Sequence, residues 1–247
     1  MARDYYIASC VFTSRHPELG FKILEYVRKR FNFTVVRCCV PRYKLQSFTD
    51  KMPSTRRDAW AALPDSAAFA AGDTVYSLCH NCTAIIDETA PAVAARSLWE
   101  LVLSDDSFPF PDYRGCVMTL QDCWRAREWR AEHDAVRRLL EKMRISVAEL
   151  ADNREKADFC GNSLFRPQPP RNAKLAPRHF VQATQGKFKP HTDEEQKAIM
   201  REYCGRFATK QVVAYCHYCV EGLELGGVDA RHLASLLFEP ESNAALA

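Results

Sequence analysis

Two stretches of this 247-residue chain superimpose without a gap: Val75-Tyr76-Ser77-Leu78-Cys79-His80-Asn81-Cys82 and Val212-Val213-Ala214-Tyr215-Cys216-His217-Tyr218-Cys219. Each is a short β-prone run that feeds a Cys-His-x-Cys turn. A repeated strand that carries thiols at its end narrows the choice of folds sharply, because open α/β sheets gather their ligands beyond the carboxyl ends of the strands. The reading is an internal duplication, with residues 1–110 as the first repeat and 111–247 as the second. The turn-forming Phe108-Pro109-Phe110-Pro111-Asp112 lies at the join.

The rest of the pattern agrees with two α/β units. Asp4 to Cys10 reads as a strand. Leu19, Ile23, Leu24, Val27 and Phe31 recur at helical spacing between Pro17 and Phe31. Phe33 to Val36 reads as a strand ending at Cys38-Cys39, a helix follows around Arg57 to Leu63, and Asp73 to Leu78 delivers Cys79. Pro91 to Leu103 is read as a helix with its proline in the first turn. In the second repeat, Gly115 to Leu120 leads to Cys123, and Val136, Leu139, Leu140 and Met143 form the stripe of a helix over 128–143. Ile145 to Leu150 resembles a strand. Thr192 caps a helix over 193–207, with Glu195 at the capping-box position. Gln211 to Tyr215 delivers Cys216, and a helix over 228–238 closes the chain. Strands alternating with helices predict two pseudo-symmetric α/β units with mainly parallel sheets.

The cysteines need a chemical explanation. There are 11 in the chain, below the roughly 8–10% of a disulfide scaffold, and a chain of this length buries enough surface to fold without staples. The start has no basic region followed by an apolar core, and no run of 18 apolar residues exists. The expectation is therefore a cytoplasmic protein with no transmembrane segment, in a compartment where thiols bind metal or do redox work. A formal net charge of +3 is too mild to suggest a nucleic-acid partner. With 9 glycines and neither a phosphate loop nor a dinucleotide fingerprint, the chain is not expected to bind flavin or nicotinamide.

Cys10, Cys38-Cys39 and Cys79-x-x-Cys82 bring five thiols from three strand ends in the first repeat. Zinc takes four ligands, so five fit a polynuclear iron–sulfur centre better. The second repeat offers Cys123, Cys160 and Cys216-x-x-Cys219, enough for a zinc or a further cluster, and Cys204 can supply a fifth thiol. Cys116 reads as a small buried apolar residue within a strand. His80 and His217 are either solvated turn residues or hydrogen-bond donors to a cluster, proton sources or alternative ligands. Asp122 is either an acceptor behind Cys123 or a plain surface carboxylate, and Trp124 and Trp129 read as packing. The stretch from about 161 to 192 carries Arg166, Arg171, Lys174, Arg178, Lys187 and Lys189 among five prolines, and reads as an extended basic loop. Such a loop either covers the centre and attracts an anionic or acidic partner or is a solvated insertion.

The order Cys-x(n)-Cys-Cys-x(n)-Cys-x-x-Cys, whole in the first repeat and partial in the second, resembles the cysteine-rich CCG domain of the B subunit of heterodisulfide reductase. Tyr6-Ile7-Ala8-Ser9-Cys10 with Arg15-His16-Pro17-Glu18 is similar to that subunit's opening, and Gln121-Asp122-Cys123-Trp124 to the second motif's first cysteine. The resemblance implies a non-cubane [4Fe–4S] cluster on Cys10, Cys38, Cys39, Cys79 and Cys82. The second ligand set would be Cys123, Cys160, Cys216 and Cys219, holding iron–sulfur, zinc or no metal. It implies a disulfide-reducing or electron-relaying oxidoreductase subunit, supplied by a ferredoxin-like or flavoprotein partner, with a small disulfide or thiol as substrate. The alternative is a zinc-stabilised adaptor without catalysis. Val40 stands where the motif has glycine, and Phe159 where it has a ligand.

Overall fold

The β-prone runs that precede the cysteines become the inner strands of two parallel sheets. The computed structural model describes residues 2–66, 69–161, 165, 172–187 and 189–240. The chain divides into Met1–Leu101 and Val102–Ala247. In the first unit the strands are β1 (Asp4–Ile7), β2 (Thr34–Val36), β3 (Thr74–Ser77) and β4 (Ala94–Ser97), in the order β2-β1-β3-β4. In the second they are β5 (Val117–Gln121), β6 (Ser146–Glu149), β7 (Gln211–Ala214) and β8 (Asp229–His232), in the order β6-β5-β7-β8. Every pairing is parallel, and the two orders are the same permutation, as the duplication predicts.

The connections are helical, as parallel neighbours require. The first unit holds α1 (Cys10–Arg15), α2 (Pro17–Phe31), α3 (Leu45–Thr49), α4 (Ser54–Ala61) and α5 (His80–Thr89), and the division between units falls within α6 (Leu98–Leu103). The second holds α7 (Arg130–Lys142), α8 (Asp193–Cys204), α9 (His217–Leu225) and α10 (Leu233–Phe238). Leu19, Ile23, Leu24 and Val27 of α2 are buried, as are Val136, Leu139 and Leu140 of α7 with Met143 just beyond it. Among the described residues no helix is long and apolar enough to cross a membrane.

Two segments read as single helices are each a strand followed by a short helix. Residues 94–97 pair with β3 from Thr74↔Ala94 to Ser77↔Ser97, and residues 229–232 pair with β7 from Gln211↔Asp229 to Ala214↔His232. Alanine and arginine there favour helix locally, but a strand alongside satisfies the backbone groups of β3 and β7, and that outweighs a propensity of a few tenths of a kcal/mol. Cys116 lies just before β5, not within it, and is half-buried. The basic insertion is not structureless where it is described: Arg178–Gln182 forms a π-helical turn that buries His179 and Phe180. Arg166, Arg171 and Pro167, Pro169 and Pro170 lie outside the described residues.

The expected capping box opens α8, with Glu195 N–H donating to Thr192 Oγ1 at 3.2 Å and Thr192 N–H to Glu195 Oε2 at 2.7 Å. Thr192→Ala should lower stability by about 1 kcal/mol, read as a lower urea midpoint with an unchanged slope. A second anchor ties the entry of β1 to β3. The Asp73 carboxylate accepts from the backbone N–H of Ala70 at 2.8 Å and of Arg3 at 2.9 Å, and these donors hold its pKa below the ordinary aspartate value. A depressed folded-state pKa contributes stability that is complete above the unfolded value, about 3.9, and is lost as pH falls through the folded one. Asp73→Asn should therefore make the acid limb of a stability–pH profile shallower below about pH 4.

Candidate metal centre

Each Cys-x-x-Cys sits where a strand turns directly into a helix. Cys79 and Cys216 are the N-caps of α5 and α9, with extended backbone at φ −106° and −125°, so Cys82 and Cys219 fall in the first helical turn. That spacing places both sulfurs at the helix N-terminus, where unsatisfied N–H groups and the helix dipole favour thiolate. The single cysteines arrive by the same route, Cys10 and Cys123 just beyond β1 and β5 and Cys38 just beyond β2.

In the first unit the five thiols form an unbroken line. Cys10 and Cys38 lie 3.3 Å apart through their Sγ atoms. Cys38 meets Cys39, Cys39 meets Cys82, and Cys82 meets Cys79. Cys79 and Cys82 cap the apolar cluster of Tyr5, Ile7, Val36, Val75 and Ile86, and Cys39 packs against it. The line concentrates negative charge on one sulfur: Cys38 accepts from the thiols of Cys10 and Cys39 and from the backbone N–H of Val40 and Cys39, which pulls its pKa down to about 3. The neighbours move the other way. Cys10 is raised by its bond to Cys38 and by burial, Cys39 by Cys38 and Cys82 by Cys39.

The second unit is compact. Each of Cys123, Cys160, Cys216 and Cys219 contacts the other three, and Cys123, Cys160 and Cys219 have Sγ atoms all within 4.8 Å of one another. Cys123 and Cys160 are 3.7 Å apart. A single tetrahedral ion with bonds of about 2.3 Å sets its sulfurs roughly 3.8 Å apart, so these thiols can hold a metal ion with little rearrangement. Burial pushes the thiols of Cys123 and Cys219 up, while the Cys123 thiol, donating to it, keeps Cys160 below the usual value. Gly161 makes the compactness possible. Its φ is +38°, and a Cβ there would stand 2.1 Å from Tyr218 O and 2.8 Å from the Cys219 Cα.

Cys204 does not join this set. Its sulfur points at the Leu223 carbonyl, 3.7 Å away, and occupies the space that a Cβ on Gly226 would need. His80 and His217 are not solvated turn residues: each is 3% exposed and opens a helix, and His217 lies 4.1 Å from the Tyr218 ring. Asp122 is no surface carboxylate either, since its side chain is fully buried against Arg137. Trp124 is buried, with Arg127 4.2 Å and Arg125 5.8 Å from its ring. Arg125 also lies 4.6 Å from the Phe180 ring, so the described part of the insertion packs on the segment that follows Cys123. Arg137 and Tyr215 were invisible as site residues, because nothing in an amphipathic helix or a β-prone run marks a partner 15 or 93 positions away.

No protein-family model, curated protein or solved structure matches the chain. The case for a metal centre rests on the thiols themselves. Nine cysteines converge at two strand-end sites, and among them Cys39 alone is not fully buried. Unpaired thiols packed so closely can take up a metal ion, which relieves their mutual repulsion.

The close approach at residue 161 is testable. Gly161→Ala should push the Cys160 loop off α9, lower stability by about 1–3 kcal/mol and reduce cobalt(II) or zinc uptake by the second thiol set, measured as bound metal per chain after gel filtration.

Proposed function

We propose that this chain is an iron–sulfur redox protein resembling the B subunit of heterodisulfide reductase, reducing a disulfide or relaying electrons within a larger complex. The observation that carries the reading is the unbroken line of five thiols in the first unit. A line of five is one sulfur more than a tetrahedral ion uses, and it suits a centre with several irons to ligate. Cys10, Cys38, Cys39, Cys79 and Cys82 would hold it, as a non-cubane [4Fe–4S] cluster.

Such a cluster supplies one-electron transfers. The chain's own part is to hold five sulfurs at one sheet edge, to keep a thiolate at Cys38, and to leave Cys39 half-buried as the point of approach. Cleaving a disulfide consumes two electrons and two protons and yields two thiols. The electrons would come from a ferredoxin-like or flavoprotein subunit.

The second set supports a different role. Its four sulfurs are buried, mutually in contact and spaced for one ion, which is the closed form of a structural zinc site. We therefore assign zinc to Cys123, Cys160, Cys216 and Cys219. The same observation favours the competing reading, an adaptor stabilised by zinc throughout.

Anaerobic purification followed by metal and sulfide analysis separates the two. The expected content is about four iron, four sulfide and one zinc per chain. Cys39→Ser should abolish the iron chromophore and leave the zinc in place. A colourless protein with zinc and no iron overturns the cluster and leaves the adaptor.

A further inference from the structure

Three residues that immediately precede ligand cysteines of the second set meet in two linked polar networks. Asp122 precedes Cys123, Phe159 precedes Cys160 and Tyr215 precedes Cys216. The Asp122 carboxylate has no exposed surface and takes four hydrogen bonds. Arg137 donates twice, Nη1 to Oδ1 at 3.2 Å and Nη2 to Oδ2 at 2.7 Å. The Tyr215 hydroxyl donates to Oδ1 at 2.8 Å, and the Arg154 backbone N–H to Oδ2 at 2.8 Å. Gln121 forms the second network. Its Nε2 donates to the Asp122 carbonyl at 2.8 Å, and its Oε1 accepts from the Tyr203 hydroxyl at 2.8 Å. Tyr203 in turn stacks on Phe159 at 4.2 Å.

A buried ion pair of this kind contributes little net stability, because desolvating both charges offsets their attraction. What it does supply is geometry. We infer that Asp122 is a positioning residue for the second thiol set, its carboxylate tying the segments that carry Cys123 and Cys216 to Arg137 and to the Arg154 backbone ahead of Cys160 before metal arrives. The inference rests on the reading that these four thiols hold a metal. It goes further in naming what fixes the backbone that carries this set; the first unit uses a different anchor, Arg37 before Cys38, whose guanidinium donates to the Ala61 and Leu63 carbonyls at 2.8 and 3.0 Å. At the corresponding places of the first unit stand Ser9, before Cys10, and Leu78, before Cys79. The Ser9 hydroxyl reaches only the Ile7 carbonyl, at 3.4 Å, and leucine has nothing to donate.

The pair can be broken without stranding a charge. Arg137 also donates to Glu149, from Nε at 2.6 Å and Nη2 at 2.7 Å, so Asp122→Asn keeps the shape and leaves the guanidinium paired. The test is cobalt(II) titration of the full chain carrying Cys38→Ser and Cys39→Ser, which removes the adjacent pair of the first set. The thiolate-to-cobalt absorption then reports the second set. Adding Asp122→Asn should weaken cobalt binding roughly 10–100-fold and broaden the tetrahedral ligand-field bands, with the circular dichroism of the folded chain unchanged. Asp152→Asn, at an exposed ion pair with Arg206, should leave both untouched. Tyr215→Phe removes one donor and keeps the Arg137 pair, so it should give a smaller loss, and it decides the matter if Asp122→Asn does not fold.

Unchanged affinity and band shape in folded Asp122→Asn overturn the positioning role, since a purely structural residue would shift only the unfolding midpoint. If the parent shows no thiolate–cobalt absorption, the metal reading itself falls and the inference falls with it. A normal parent spectrum with an unaffected variant removes the inference alone.

Discussion

Sulfurs buried in contact with one another can share very little negative charge, and the carboxyl edge of each sheet is organised around that limit. In the first unit the charge settles on Cys38 while Cys10, Cys39 and Cys82 are driven toward their protonated forms. In the second, the Cys123 thiol holds Cys160 below the ordinary thiol value while burial pushes Cys123 and Cys219 above it. A cation relieves the conflict by taking thiolates that the protein alone would not ionise, and it releases protons as it does so. At either edge, taking up a cation would thus be coupled to proton release.

What brings the sulfurs together is parallel pairing. β1 runs beside β2 and β3, and β5 beside β6 and β7, so chain segments far apart in sequence end at one edge. The helix that follows β3 or β7 then turns a second cysteine back toward the first. Antiparallel neighbours would have sent alternate cysteines to opposite ends of the sheet.

Much of this could be read from residue order, because thiols directly after β-prone runs announce strand ends. The duplicated Cys-His-x-Cys already implied two equivalent sheets. β4 and β8 were missed because Ala94-Ala95-Arg96 and Asp229-Ala230-Arg231 carry no strand preference of their own; only the neighbouring strand makes them extended. Cys204 shows the opposite failure, a thiol near the right place in the chain whose helix carries it into packing against Gly226. The polar frame around Asp122 was beyond reach for a third reason. It is assembled from a helix, a loop and a residue just past a strand, whose separations leave no periodic trace.

The equivalent positions 40 and 161, a valine in one repeat and a glycine in the other, bear on how each half can change over generations. At 161 the backbone is pressed so close to α9 that one methyl group has nowhere to go. At 40 an isopropyl group is already carried, half-buried, next to the two adjacent cysteines. Copies of one fold thus present unequal targets to mutation. The second half is brittle here, since any side chain at 161 must move the backbone beside its sulfurs, whereas the first already carries one at 40 and can exchange it for another without dismantling the sheet beneath.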